Sequence, residues 1–369
     1  MSSSQRPRIL LLIPHLGGGG SERVIETLAR SLNPAKYEVH LALVTISQRE
    51  SQRFSSAVSV HELRATRVRS SVLKLLRLIW RLRPNLILSG ISHLNLLVLA
   101  LRPLLPRMTR IVVRQNGALA ATLGPHSRLL SRRVHSLNYR RADRVICQTE
   151  SMASEMHGSL AIEKSKLVVL PNPTKLAQFR SSNRPNTERD SNAATLLSIG
   201  RLVPEKGFDL LLDAFASLSI SRDTELIIVG EGPERSRLQL QAQALNISRR
   251  VHFPGHVPDP VVRFRHASLF VLSSRTEGLP NAMLEAAAAG LPLVVTPAFP
   301  GMARLFENNE GVWLATEISS AALRSALQAA LSSIQPGARY PHAWVEPYDV
   351  SRAIPAYEAA MDEVLAAAV

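Results

Sequence analysis

This sequence predicts an α/β protein of two doubly wound domains facing one cleft, and three observations lead there. Short apolar runs alternate with helical segments along most of the chain, and the alternation starts afresh after a polar stretch at 178–193. Runs such as Arg8-Ile9-Leu10-Leu11-Leu12-Ile13 and Leu269-Phe270-Val271-Leu272 lack the polar alternation of half-exposed strands. They read as parallel strands buried on both faces. The length, 369 residues, exceeds what one hydrophobic core fills.

The first strand leads into Pro14-His15-Leu16-Gly17-Gly18-Gly19-Gly20-Ser21-Glu22-Arg23. A helix then runs to about Leu32, with Val24, Ile25, Leu28, Ala29 and Leu32 on one face. Strand, glycine-rich turn and helix form a layout in which backbone N–H groups meet phosphate. The spacing is not the GxGxxG dinucleotide fingerprint, and no P-loop Lys-Ser/Thr follows. Further strands are expected at 38–46, 86–89, 111–114 and 144–148. The segment Arg69 to Arg83 predicts a cationic helix, with Val72, Leu73, Leu76, Ile79 and Leu82 set against Lys74, Arg77, Arg81 and Arg83. It suits a cover for the sheet or an interfacial membrane helix. His93, then Arg114, Gln115 and Asn116, follow strands at the carboxyl edge, where open α/β sheets keep their ligands.

A run at 167–170 ends in the turn Pro171-Asn172-Pro173. The polar stretch at 178–193 reads as a linker or surface loop. The domains expected are 1–172 with a C-terminal helix at 351–369, and 173–350. The second series of strands is expected at 195–199, 225–229, 251–257, 269–272 and 292–296, with helices from Phe208 and from Ala321. The last helix, Ser351 to Ala368, is amphipathic through Ile354, Tyr357, Met361, Val364 and Leu365.

The stretch Ser273 to Gly290 carries two carboxylates, Glu277 in a loop and Glu285 inside an Ala-rich helix. Pro280 near the helix start and Gly290 at its end fit the usual helix punctuation. The free N–H groups at about Asn281 favour an anion. Gly200-Arg201 and Lys206 follow another strand of the same half. Two cations beside a helix N-terminus, flanked by carboxylates that can accept hydrogen bonds from hydroxyls, make a diphosphate-and-hydroxyl site. A sugar nucleotide has those parts.

Composition narrows the classes. With 46% hydrophobic and 20% charged residues the chain reads as soluble and globular. A single cysteine, Cys147, excludes an internal disulfide framework and a thiolate zinc site, and a reducing cytoplasm fits. The polar start leading straight into a strand does not resemble a signal peptide, and no apolar run reaches the ~20 residues that span a bilayer. The net charge of +15 is uneven: residues 1–175 carry 27 Lys/Arg against 9 Asp/Glu, whereas 176–369 carry 17 against 20. Anionic membrane or nucleic acid could answer the basic half. Its aromatics, Tyr37, Phe54, Trp80 and Tyr139, are too scattered for base-stacking platforms, which argues against nucleic acid.

Taken together, Gly17-Gly18-Gly19-Gly20-Ser21-Glu22-Arg23, Asn172-Pro173, Gly200-Arg201 with Glu205-Lys206-Gly207, Gly230-Glu231-Gly232-Pro233, and Glu277 to Glu285 with its E-x7-E spacing resemble glycosyltransferase family 4. The resemblance implies the GT-B fold, with the last helix crossing back to the first domain. It also implies retaining transfer of a sugar from a nucleotide donor, UDP- or GDP-linked, to an acceptor hydroxyl, with no cofactor and no bound metal. By the same resemblance Arg201 and Lys206 would hold the diphosphate, Glu277 the sugar hydroxyls and Glu285 the ribose. His256 and Val257 would meet the base, and Gly17, Gly18 and Gly19 would bring N–H groups to the donor. Gly200, Gly232, Gly278, Leu279, Pro280 and Asn281 would line it. His93, Arg114 and Asn116 would stand on the acceptor side.

Two departures from the family pattern stand out. No His occurs in Arg114 to Gly117, and Pro300-Gly301-Met302-Ala303-Arg304 lacks the Glu common after the following strand. The pathway expected is that of cell-envelope polysaccharide, lipopolysaccharide or glycolipid. The expected location is the cytoplasm, at the membrane face, with peripheral contact through the basic domain. The alternatives are a sugar-nucleotide epimerase or a phosphorylase on the same fold, or a basic nucleic-acid-binding protein. A nicotinamide oxidoreductase fits less well, since Arg201 and Lys206 would have no task.

Overall fold

A computed structural model describes residues 6–16, 19–45, 54, 57–65, 68–117, 119, 128–180, 194–219, 223–257 and 261–367. The chain divides into two compact units: residues 1–173 with 350–369, and residues 174–349.

Unit 1 holds a seven-stranded sheet of β1 (Arg8–Ile13), β2 (Glu38–Leu43), β3 (Val58–Glu62), β4 (Leu86–Ser89), β5 (Arg110–Arg114), β6 (Arg144–Cys147) and β7 (Leu167–Val169). The order is β3-β2-β1-β4-β5-β6-β7, with all pairs parallel. The apolar runs form these strands because both faces are covered. Helices Gly20–Ser31 and Val350–Ala366 pack on one face, and Val72–Leu82, Ser92–Ala100, Arg128–Tyr139 and Glu150–Leu160 on the other. The last helix buries Ile354, Tyr357, Met361 and Val364 against β1 and its neighbours. At roughly 1.5–3 kcal/mol for each large apolar side chain, that stripe is a substantial part of the unit's stability. Polar ties add to it: Tyr37 donates to Asp362 at 2.7 Å, and Arg144 pairs with Glu363 at 3.0 Å.

Unit 2 repeats the plan with β8 (Thr195–Ile199), β9 (Glu225–Val229), β10 (Val251–Gly255), β11 (Leu269–Leu272), β12 (Leu293–Val295) and β13 (Val312–Leu314). The order is β10-β9-β8-β11-β12-β13, again parallel throughout. In both units the order reverses beside the first strand, between β1 and β4 and between β8 and β11. In open sheets this reversal opens a crevice at the carboxyl edge.

Two expectations change. The inward face of the cationic helix is shifted rather than replaced: Val72, Leu76 and Leu82 pack partly buried against the core, but Leu75 and Leu78 join Ile79 inside and Leu73 turns out. Leu75, Leu78 and Ile79 are buried, whereas Leu73 is 68% exposed. Apolar residues nearly encircle this helix, so periodicity admits more than one stripe, and the sheet takes the 75, 78, 79 set. The linker expected at 178–193 begins instead as the end of a helix, Leu176–Arg180. Phe179 anchors it, edge-on to Phe264 with ring centres 5.7 Å apart. Residues 181–193, and Ile46 at the expected end of β2, lie outside the described residues.

Candidate active site

The carboxyl edge of the unit 2 sheet gathers four loops into one mesh. After β8, Gly200 donates to Val229 O at 3.0 Å and Leu202 to Glu231 O at 2.9 Å, while Glu234 donates back to Leu202 O at 3.0 Å. Gly230 donates to Gly255 O at 2.9 Å, which ties in the end of β10. Only glycine fits at two of these crossings. A Cβ on Gly230, at φ +142°, would lie 1.9 Å from Gly200 O, and one on Gly232 would lie 2.3 Å from Leu202 O. Beyond Gly255, His256 is exposed and Val257 partly so.

The turn Pro204–Lys206 is fastened to the loop after β11 on both sides. Ser273 Oγ donates to Lys206 O at 2.9 Å, and Arg275 N donates to Glu205 O at 2.7 Å. Gly207, at φ +62°, passes so close that a Cβ would stand 2.1 Å from Ser273 O. This packing brings Lys206 Nζ to 2.5 Å from Glu277 Oε1, with Ser274 Oγ donating to the same oxygen at 2.6 Å. Glu277 is itself fixed by its N–H, which donates to Ala298 O at 2.9 Å. The pair is mostly shielded, the side chains being 23% and 10% exposed, so its charges act with less screening than at an open surface. Arg201, on the neighbouring turn, is exposed. Its guanidinium makes no ion pair among the described residues.

Glu285 sits in the second turn of helix Asn281–Ala288 and is 5% exposed. It is therefore not the solvated helix residue that spacing alone permits. Pro280 caps that helix, and Gly278, Leu279 and Pro280 are buried beneath the loop. The arrangement offers one exposed and one paired cation, a shielded carboxylate and a helix start, all at the reversal point of one sheet. It can take an anion and polar hydroxyl groups side by side.

Some of the supporting residues carried no signal in the sequence. Arg275 forms a two-pronged ion pair with Asp209, at 2.7 and 2.6 Å, and donates to Pro204 O at 2.9 Å. Thr296 Oγ1 donates to Ser274 O at 2.6 Å. Burial works against the charged form of Asp209, but the Arg275 bonds and charge outweigh it and hold its pKa below the usual carboxylate value. A lowered folded-state pKa means stability present above the unfolded value of about 3.9 and lost as pH falls below it. Arg275→Ala is expected to cost about 1 kcal/mol at neutral pH, the pair being partly exposed. It should also flatten the acid side of the stability profile, which denaturant melts between about pH 2 and 6 will read.

The unit 1 residues fall out differently. Gly17 and Gly18 lie outside the described residues. Gly19 precedes helix Gly20–Ser31 in ordinary extended backbone, φ −83°. His93 is exposed on the first turn of helix Ser92–Ala100, beside β4 at the reversal point. Partial burial of the ring lowers its pKa below the usual histidine value, against the raising effect of Glu22 and with a further lowering by His15. Arg114 does not sit as an acceptor contact would. It is 1% exposed, its Nε donates to Tyr357 Oη at 3.3 Å, and its other nitrogens donate to Asn116 Oδ1 and Asn172 Oδ1. Arg114 and Asn116 thus join β5 to the last helix and to the Asn172-Pro173 turn. Cys147 is buried, and burial pushes its thiol up to about 12, so it is chemically quiet.

Two parallel sheets in the 3-2-1-4-5-6 order, with charged loops at a reversal point, define a doubly wound α/β protein with its crevice at the carboxyl edge. Comparison with known families makes this specific. Residues 19–173 match the glycosyl transferase 4-like domain, and residues 179–342 match the glycosyl transferases group 1 domain. The chain belongs to the glycosyltransferases built from these two domains.

A lipopolysaccharide core biosynthesis glycosyltransferase, LpsE of Rhizobium meliloti, is 31% identical over 52% of this chain and 53% of its own. A Campylobacter jejuni N-acetylgalactosaminyltransferase named for a diphospho-undecaprenol substrate is 26% identical over 81% of this chain and 83% of its own. The crystal structure of Anabaena HepE in complex with UDP and glucose superposes with a TM-score of 0.79 at 17% identity, covering 97% of this chain and all of that one. The fold is therefore GT-B. Against three of the curated glycosyltransferases it matches, the chain spans 42–59% of their length.

Proposed function

We propose that the protein moves a sugar from a UDP- or GDP-linked donor to an acceptor hydroxyl, with retention of anomeric configuration. We place the reaction in the assembly of a lipopolysaccharide, polysaccharide or glycolipid of the cell envelope. The observation that carries this reading is Lys206 held beside Glu277 at the reversal point of the unit 2 sheet, with Arg201 exposed next to it. Lys206 and Arg201 bind the diphosphate. As the bond between the anomeric carbon and the phosphate oxygen breaks, negative charge grows on the leaving nucleoside diphosphate, and fixed cations stabilise it there. The acceptor hydroxyl attacks from the same face, and its proton passes to the departing phosphate oxygen, so no side-chain base is required. Glu277 accepts hydrogen bonds from the donor sugar and Glu285 from the ribose, with the base lying near His256 and Val257. Gly200, Gly232 and Gly278 to Asn281 line the donor, and His93 stands on the acceptor side. The cations take the place a metal would have, and no cofactor enters.

A glycan or lipid-linked acceptor agrees with the names of LpsE and the Campylobacter enzyme, and with work at the cytoplasmic face of a membrane. No helix among the described residues is long and apolar enough to cross one. A thermal-shift panel of UDP-, GDP-, ADP- and dTDP-sugars tests the donor. A ligand at 100 times its Kd adds about 2.7 kcal/mol to the folded state, so one nucleotide class should raise the melting temperature by several degrees. No rise with any of them would sink the reading.

A further inference from the structure

Away from those loops, the most unusual surface lies on unit 1, over helix Val72–Leu82 and the segment 102–108. Leu73, Trp80, Leu104 and Met108 are 68%, 51%, 56% and 64% exposed. Three of them, Leu73, Trp80 and Leu104, flank a shallow groove of about 880 Å³ together with Arg77 and Arg107. Trp80 is fastened there by its indole N–H, which donates to Leu104 O at 3.0 Å. Solitary exposed apolar residues are ordinary, but a contiguous set rimmed by charge marks a contact surface.

The charge is equally one-sided. From Leu63 through Ala142 the sequence has sixteen Lys/Arg and no Asp/Glu. Lys74, Arg77, Arg81 and Arg107 are exposed, and none of them makes an ion pair among the described residues. The opposite face of the sheet is different. There Glu358, Asp362 and Glu363 of the last helix answer the local cations, Lys36 and Arg144 among them.

We propose that this face docks the protein reversibly on a bilayer containing anionic phospholipid. On the helix each exposed apolar anchor is followed by a cation, Leu73 by Lys74 and Trp80 by Arg81, with Arg77 between them. Such interleaving sets apolar groups below the headgroups and the cations at phosphate level. A second copy would set like charges against like and repel. Nucleic acid would find one aromatic ring here, too few to stack on. The inference deepens the membrane-facing part of the proposed function and needs nothing from the donor chemistry.

The test is sedimentation of the full-length protein with vesicles of pure phosphatidylcholine or of phosphatidylcholine with about 30% phosphatidylglycerol. Binding should appear only with phosphatidylglycerol, shift Trp80 emission to the blue and weaken as salt rises from about 0.1 to 0.5 M. Arg77→Glu with Arg107→Glu, and separately Leu73→Ser with Leu104→Ser, should each lower the partition coefficient at least about tenfold, with circular dichroism unchanged. The two pairs are independent, so one that misfolds leaves the other to decide. Three results would overturn the proposal. One is no binding to the anionic vesicles, and another is undiminished binding by both variants. The third is a wild-type dimer that Leu73→Ser with Leu104→Ser splits, which would make the face a self-association surface. The nucleotide-sugar thermal shift, measured on the same variants, reports separately on the donor reading.

Discussion

Lys206→Ala is expected to remove sugar transfer almost entirely, with kcat falling by about 10²–10³ or more, while unit 2 keeps its fold. The rate loss follows from removing one fixed donor at a position where transition-state charge develops. The variant also strands Glu277, whose carboxylate is 10% exposed and loses its partner at 2.5 Å. Leaving a shielded charge uncompensated costs on the order of 2 kcal/mol, the pair being less than fully buried. These effects separate in a double variant. Adding Glu277→Gln removes the stranded charge, so most of the lost stability should return while activity stays absent. Donor turnover and denaturant midpoints for the three proteins supply the comparison. Full turnover by a folded Lys206→Ala protein would refute the assignment.

Gly207→Ala should be among the most damaging single methyl additions in unit 2, and the one that acts directly on Lys206. At φ +62° an alanine costs about 1 kcal/mol by itself. The steric clash costs more, because the new Cβ would stand 2.1 Å from Ser273 O, a backbone atom that cannot rotate aside. The loop after β8 must then lift from the loop after β11, taking Lys206 with it. A loss of about 3 kcal/mol or more is expected, together with loss of nucleotide-sugar binding even where the protein still folds. Gly301→Ala is the matched control. It too has positive φ, +89°, but an added Cβ there meets nothing within 4 Å. It should show the conformational cost alone, so equal midpoints for the two variants would disprove the steric argument.

Local pattern is enough to show the layout of the site. Continuous apolar runs mark the strands, glycines and prolines mark the turns after them, and the cations and carboxylates follow within a few residues. Lys206 and Glu277, 71 residues apart in the chain, are therefore assigned to the same sheet edge by sequence alone. What local pattern cannot give is pairing. That Arg275 clasps Asp209, or that Ser273 holds Lys206 O, depends on which loops the strand order sets side by side. Arg114 shows the limit most clearly. A polar residue after a strand suggests a ligand contact, and only the packed structure shows its donors spent on Tyr357, Asn116 and Asn172. Helix Val72–Leu82 is a related case: Ile79 is buried and Val72, Leu76 and Leu82 pack on the core as the periodicity suggests, but only the sheet decides that Leu75 and Leu78 go inside and Leu73 out.

The return of residues 350–366 to unit 1 has a consequence for biogenesis. Synthesis runs from the amino end, and domains usually close in that order. Here the earlier-made unit must wait, one face of its sheet covered only by helix Gly20–Ser31 and open where Ile354, Tyr357 and Met361 will lie. Residues 174–349 are contiguous and need no later segment to close. The first unit is therefore completed only by a segment made after the whole of the second.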